Sequence, residues 1–442
     1  MGMFQSLAGF RDFYPDQCQL RNNLFNNWRR VSLTANFREY DVPSLESLDL
    51  YLEKSGEEIL SQIYHFMDKG DRAVAMRPEI TPSVARMVGA KANALKKPIK
   101  WFSIGECFRY ERPQKGRLRS FYQYNADIFG EKSIFADVEL INLLINSLKI
   151  FGLTNVDFRV RFSDRKMWAL LLELLGVHPN QTKDVLVLID KYERITDKDW
   201  EVKTTQLFGA EKAMSFRNII GDWLNLSNLA DLKNFWQRYQ LEDSFQKKVF
   251  QRLEDWSHLL EALKTMGVSD FIELDFTIVR GLAYYTGFVF EAFDRNQKSR
   301  ALAGGGRYDH LVAKLGGPEI PATGFAIGDV TLQDFLKSKN LLPKYCQSLD
   351  VYVVIDGYEM LHNALSGISA LRSQGISVEY PLKPISLGKQ FKIAHSCGAN
   401  WIVVYGEREW SMGEVTLKNL SNGVDSVVSP RVALESIASK YM

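Results

Sequence analysis

Residues 100–130 read KWFSIGECFRYERPQKGRLRSFYQYNADIFG. Two strand-like stretches, KWFSIGECFRYERP and RSFYQYNADIFG, flank a single short turn around Pro-Gln-Lys-Gly. Parallel neighbours need a crossover of a dozen or more residues, so strands joined this tightly belong to an antiparallel pair. IYHFMDKGDRAVAMRPE repeats the arrangement around the turn Asp68-Lys69-Gly70-Asp71. The spacing therefore predicts an α+β chain built on an antiparallel sheet, not a doubly wound parallel one.

The turn is also where charge gathers. Arg109, Arg112, Lys115, Arg117 and Arg119 stand against one Glu111, in a chain whose formal net charge is only +2. Like charges this close repel, so the crowding implies an anionic partner. Arginine suits phosphate because its planar fork donates two parallel hydrogen bonds. Arg109 and Glu111 alternate along one strand and so share a face, and Phe121 offers a flat ring to a base. Loop cations beside such a site suit a nucleic-acid backbone. On this segment alone, a solvated basic hairpin explains the charge as well.

The totals set bounds on the rest. A length of 442 residues suggests two or three domains, and 46% hydrophobic residues suffice for their cores. A net charge of +2 argues against a protein that coats polyanions generally. No signal peptide and no membrane span are expected. Cys18, Cys107, Cys346 and Cys397 lie far apart, without zinc spacing, so no structural zinc or other metal site is predicted and the thiols suit a reducing cytoplasm.

Along the chain, Leu20, Leu24, Trp28, Val31 and Ala35 recur at helical spacing. FREYDVPSLES reads as a short strand stopped at Pro43, followed by a helix over Thr81 to Leu95 and another over Ile134 to Phe151. Residues 164–268 turn helical and Leu-rich, as an insertion between strand-rich segments 1–163 and 269–337. A polar linker, 338–347, precedes a small α/β domain, 348–442, with strands DVYVVI, SVEY, WIVVYG and GEVTLKNL.

Three further motifs could carry chemistry. In MRPEIT, Glu79 and Thr81 sit two apart, which on a strand puts both on one face, able to hold an ammonium group. IVRGLAYYTGFVFE sets Arg280 in an otherwise apolar strand, and a buried arginine needs anionic partners. Tyr284 and Tyr285 are adjacent there, so only one can line a given pocket. LAGGGRYDHLV carries three glycines, which admit close backbone approach to a ligand or make a plain turn.

Taken together, RPEIT, FRYERPQKGRLRSFYQYNADIFG, VRGLAYYTG and AGGGRYDHLV resemble, in order and spacing, the histidyl-tRNA synthetase family. The hairpin resembles class II motif 2, and the first helix with the strand ending at Pro43 resembles motif 1, which forms the homodimer. PISLGKQFKIAHSCGANWIVVYGEREWSMGEVTLKNL is similar to the class IIa anticodon-binding domain. The resemblance implies a class II catalytic core over 1–163 and 269–337 and an anticodon-binding-like domain over 348–442. It implies activation of L-histidine with ATP, accompanied by Mg²⁺, and transfer to tRNA(His) in the cytoplasm. Glu79 and Thr81, with Gln123, would bind the α-amino group of histidine. Asp127, where most members carry Glu, would read the imidazole with Tyr284 or Tyr285, and Tyr308 would close that pocket. Arg109 would hold the α-phosphate, beside Glu111, with Phe121 stacked on adenine. Arg280 would stand at the α-phosphate on the histidine side. Gln114, Arg117 and Arg119 would meet the tRNA acceptor end.

Two departures bear on this reading. GFAIGDVTL has Val330 and Thr331 where the family's motif 3 has Glu and an ATP-contacting Arg, and Ala283 replaces a usual Asp. Relatives that regulate ATP phosphoribosyltransferase keep the fold but lose catalytic residues and typically the last domain, so that role is the alternative. Arg280→Ala should slow adenylate formation roughly 100-fold in single-turnover assays, the scale of a lost charge-stabilising donor, and shift histidine binding much less. Equal losses would make Arg280 structural.

Overall fold

Pro15 opens the first helix, where its missing N–H costs nothing, and α1 (Pro15–Thr34) buries Leu24, Trp28 and Val31 along one stripe. The computed structural model describes residues 4–114, 116–189, 195–278, 285–296, 301–343 and 349–440, with only the backbone at 55, 58, 179, 183, 197 and 210–212. The chain forms two units, residues 1–343 and 344–442.

In the first unit, β1 (Arg38–Glu39) and β2 (Leu45–Ser47) lie on either side of Pro43, followed by α2 (Leu48–Ser55). The short strand expected to stop at Pro43 is β1, and a second strand, β2, follows the proline in a different sheet: β1 pairs with the large sheet and β2 with a small one. Proline supplies no N–H and restricts the residue before it, which breaks the ladder there. β3 (His65–Met67) and β4 (Ala73–Met76) flank the predicted turn, and α3 (Thr81–Ala90) follows. β5 (Ile99–Phe108) and β6 (Ser120–Phe129) are the predicted hairpin. α4 (Ile134–Lys149) and β7 (Phe158–Asp164) complete the first stretch.

Six helices then run in succession: α5 (Arg165–Leu174), α6 (Thr182–Ile189), α7 (Asp197–Phe208), α8 (Ala210–Leu224), α9 (Leu229–Gln237) and α10 (Asp243–Thr265). β8 (Ile272–Leu274), β9 (Phe288–Asp294), β10 (Ala303–Arg307), α11 (Leu311–Lys314), β11 (Ala322–Gly328) and α12 (Asp329–Ser338) return to the sheet. The large sheet runs β1-β5-β6-β11-β10-β9-β7-β8, and its interior pairs are antiparallel as expected. The outer pairs β1/β5 and β7/β8 are parallel. The three glycines of LAGGGRYDHLV lie within β10 rather than in a turn. β2, β4 and β3 form the small sheet.

Strand alternation divides the large sheet into two faces. Tyr124, Ala126 and Ile128 of β6 join Phe325 and Ile327 of β11 in a core with Leu140, Leu144 and Leu148 of α4. Arg307, at the end of β10, donates to Asp137 of α4 at 2.7 and 3.0 Å and to the Glu131 and Ser133 carbonyls. Those bonds satisfy a guanidinium that is almost wholly buried.

The longest helix of the helical segment is tied to the sheet by another buried ion pair. Asp164, the last residue of β7, accepts from Arg252 of α10 at 2.6 and 2.9 Å and from the Trp256 indole at 2.8 Å. The Arg252 guanidinium also lies 4.0 Å from the centre of the Phe288 ring of β9.

In the second unit, β12 (Leu349–Ile355), α13 (Tyr358–Ser373), β13 (Val378–Glu379), α14 (Leu387–Ser396) and β14 (Ala399–Tyr405) alternate strand with helix. α15 (Glu407–Ser411), β15 (Val415–Asn419), β16 (Asp425–Val428) and α16 (Pro430–Ala438) follow. The sheet order is β13-β12-β14-β15-β16, and β16 is a strand beyond the four expected. Its exposed Asp425 and Ser426 gave no apolar signal. α13 and α16 bury one face of the sheet, and α14 the other.

Asp164→Ala would leave Arg252 charged, buried and without its main partner. Equilibrium denaturation should register a loss of about 3–5 kcal/mol. A loss below about 1 kcal/mol, that of a surface pair, would show that Asp164 does not anchor α10.

Candidate active site

One cavity of about 1000 Å³ opens on the sheet face away from α4. The hairpin β5/β6 brings Arg109, Glu111, Arg117, Phe121 and Gln123 to it, and the segment after β4 brings Glu79 and Thr81. Tyr285 and Tyr308 line it as expected, with Val330 and Thr331 of the motif 3 segment, and the lining does not include Asp127. Arg280 and Tyr284 fall in residues 279–284, with Ala283, outside the described residues.

Glycine makes the cavity possible. In the β6/β11 register Asp127 lies opposite Gly324 and Gln123 opposite Gly328, while Gly306 of β10 lies opposite Gly324. A Cβ on Gly324 would overlap Oδ1 of Asp127. One on Gly306 would stand 2.9 Å from Cδ1 of Tyr285, whose ring lies along that backbone. Of the β10 glycines, Gly304 lines the cavity, while Gly305 and Gly306 admit close approach of the neighbouring strands and of the Tyr285 ring, at the cost in strand stability that glycine carries.

Asp127 is buried, with Oδ1 accepting from the Tyr308 hydroxyl. Burial pushes its carboxyl up to about 7, against the Tyr308 bond and the charge of Lys54. Among the described residues, Oδ2 of Asp127 has no hydrogen-bond partner, an acceptor left open beside the cavity. The Tyr285 phenol is raised by burial and by the negative charges of Glu79, Glu291 and Asp127.

Glu79 and Thr81 do not share a strand face as expected. β4 ends at Met76, Glu79 lies in the connecting segment, and Thr81 is the first residue of α3. Both reach the cavity because the segment is pinned. Arg77, buried, packs where a Cβ on Gly105 would stand and donates to the carbonyls of Glu106 at 2.7 Å and Val42 at 2.5 Å. Glu79 is no solvated strand-end carboxylate: it is ion-paired with Lys54 of α2, with side chains 20% and 12% exposed. Burial works to raise its pKa, yet the charges of Lys54 and Arg109 hold it below the usual carboxylate range.

Arg109 donates Nε to the Pro78 carbonyl at 3.0 Å, and its guanidinium lies 5.2 Å from the centre of the Phe121 ring. That bond aims the remaining donors while leaving them for an anion. The hairpin tip closes in a tight turn, with Gln114 and Arg117 exchanging backbone bonds of 3.0 and 2.8 Å and Gly116 at φ +73°. The tip folds inward: Thr331 donates its hydroxyl to the Gly116 carbonyl at 3.4 Å. Arg117, expected to face RNA, lines the cavity and is ion-paired with Glu111. Gln114 points to solvent. Arg119 is engaged locally, donating to the Glu111 carbonyl at 3.2 Å and lying 4.7 Å from the centre of the Tyr110 ring.

Sequence reasoning missed Lys54, Arg77 and Glu291. A single acid in the apolar strand FVFEAF was a usable signal for Glu291. Lys54 in LYLEKSGEE had none, since a lone lysine on a helix reads as solvated. Among the described residues, no group of three His, Cys, Asp or Glu side chains is placed to hold a metal ion, and no helix is long and apolar enough to cross a membrane.

Comparison with known proteins is consistent over the whole chain. The profile of the histidyl-tRNA synthetase family matches residues 9–331, and that of the anticodon binding domain matches residues 350–440. A histidine–tRNA ligase of Opitutus terrae is 48% identical over 100% of this chain and 99% of its own. One of Leptospira biflexa is 39% identical over 98% of this chain and 97% of its own. The fold is similar to a crystal structure of histidyl-tRNA synthetase from a Nostoc species, with a TM-score of 0.77, 24% identity and 100% of both chains covered.

The raised pKa of Asp127 sets a pH dependence. As pH rises from about 4, the unfolded chain releases this proton first, while the folded chain holds it to about 7. Stability contributed at acidic pH is therefore lost across that window. Asp127→Asn should show a smaller drop between pH 4 and 7 in urea-unfolding midpoints than the native chain. Parallel profiles would mean that Asp127 titrates normally.

Proposed function

This chain belongs to the histidyl-tRNA synthetase family, and from that premise we propose that it activates L-histidine with ATP and transfers the histidyl group to tRNA(His). The observation that carries the reading is the cavity, which gathers Glu79, Gln123 and Tyr285 with Arg109, Arg117 and Phe121, and has Asp127 beside it.

Glu79 and Thr81 take the substrate's ammonium, and the open Oδ2 of Asp127 accepts from the imidazole. Burial makes this reading selective, because an isostere without a ring N–H leaves that acceptor unpaired. The histidine carboxylate attacks the α-phosphorus and pyrophosphate leaves. Arg109 stabilises the growing charge on the α-phosphate oxygens, with Arg280 expected opposite by resemblance. Phe121 stacks on adenine. Mg²⁺ would accompany ATP as part of the substrate and supply neutralising charge to its phosphates.

Thr331 in place of the motif 3 arginine removes one cation from the triphosphate end. Arg117 supports a substitution for it: the inward-folded tip seats Gly116 on Thr331 and brings Arg117 into the same cavity. In this proposal Arg117 serves the triphosphate, and Gln114 and Arg119 serve the tRNA acceptor end. The matched anticodon-binding domain supports the synthetase over a regulatory relative, in which that domain is typically absent. A homodimer through α1 and its following strand, and work in a reducing cytoplasm, complete the proposal.

The purified protein should catalyse ATP–pyrophosphate exchange with histidine and with no other amino acid. Absence of exchange at saturating ATP, with histidine still bound, would favour the regulatory role. In the same assay Arg117→Ala should raise the KM for ATP about tenfold, the scale of a charged hydrogen bond. An unchanged KM would return Arg117 to tRNA.

A further inference from the structure

Glu79 is the carboxylate assigned to the substrate's ammonium, and in this structure an ammonium already sits on it. Lys54 reaches from α2 into the cavity and pairs with Glu79, with both side chains largely shielded from water. Its position is central to the histidine end rather than peripheral to it. The Lys54 charge acts on Glu79 and also on Asp127, the two carboxylates that would hold opposite ends of a bound histidine.

A buried carboxylate without a counter-ion is costly, and it would take up a proton. An internal lysine removes that cost while the cavity awaits substrate. The contact also imposes competition. Two ammonium groups cannot occupy one carboxylate in a shielded site without repelling each other. Resting on the reading of the cavity as a histidine site, we propose that Lys54 is an internal occupant of the ammonium subsite, which the substrate's α-amino group must displace in order to bind.

Displacement exchanges one ion pair for another. The amino group then contributes little net affinity, while the imidazole and carboxylate contribute most of it. A ligand without an amino group leaves the Lys54–Glu79 pair intact. Lys54 thus separates ligands by the presence of an ammonium rather than by overall fit.

The test is binding calorimetry on the full chain at pH 8, with three probes: L-histidine, histidinol, and imidazolepropionate, which lacks the amino group. Lys54→Met should tighten histidine and histidinol about fivefold to tenfold, the scale of a partly shielded ion pair, and leave imidazolepropionate unchanged. Lys54→Arg, which keeps the charge, should stay near the native values for all three. Histidine binding that is unchanged or weaker in Lys54→Met, or equal tightening of all three probes, would overturn the proposal. A native chain that binds none of the probes would instead refute the reading of the cavity. If Lys54→Met does not fold, Lys54→Gln carries the same comparison.

Discussion

The close approach of Gly324 to Asp127 is the constraint on which the site depends. Asp127 projects from the middle of β6, and the neighbouring strand has no side chain at the position opposite. With a Cβ there, the carboxylate could not lie flat against the sheet and meet the Tyr308 hydroxyl. Gly306 extends the same clearance to β10 and lets the Tyr285 ring lie along the strand. A sheet interior is ordinarily filled by side chains from both faces. Here one face is filled by α4, and the other is covered in part by α3 and α11 and is left open where Gly324 and Gly328 line the cavity.

The open face has an electrostatic consequence. Two carboxylates at the cavity, Glu79 and Glu111, are each held by a cation of the same chain, Lys54 and Arg117. Among the described residues no cation is bonded to Asp127, and burial raises its pKa. One cavity thus contains both responses to buried negative charge, pairing and neutralisation. In the proposed reaction each internal pair rearranges or is shared as charged ligands enter, which would make the site's preferences depend on its own counter-ions as well as on its contacts.

The hairpin, its antiparallel sheet and the α/β second unit were legible because their signals are local: alternation, turn residues and short apolar runs. Phe121 was legible as a ring on the hairpin, whereas Gln123 and Asp127 were placed only through the family resemblance, and strand alternation sets all three on one face. Glu79 and Thr81 reached the same cavity by another route. The strand had already ended, and the buried Arg77 holds their segment against β5, a contact that local sequence does not encode. Lys54 was invisible for the same reason: its partner lies 25 residues away, across two strands and the turn between them. The helical character of residues 164–268 was plain from composition, but its attachment through Asp164, Arg252 and Trp256 was not.

By itself the sequence determined the kinds of element, their order, and which residue types could bind phosphate, a base or an ammonium. Backbone propensity and side-chain periodicity act over a few residues, and they survive in any tertiary context. Only the folded chain decided which of those groups share a cavity and which already have partners. It turned the cationic tip inward over Thr331, placed Lys54 on Glu79, and set a glycine run inside a strand beside the cavity. Those outcomes depend on distances between residues far apart in the chain, which arise when the sheet registers are set and the charges find the nearest partners that burial allows.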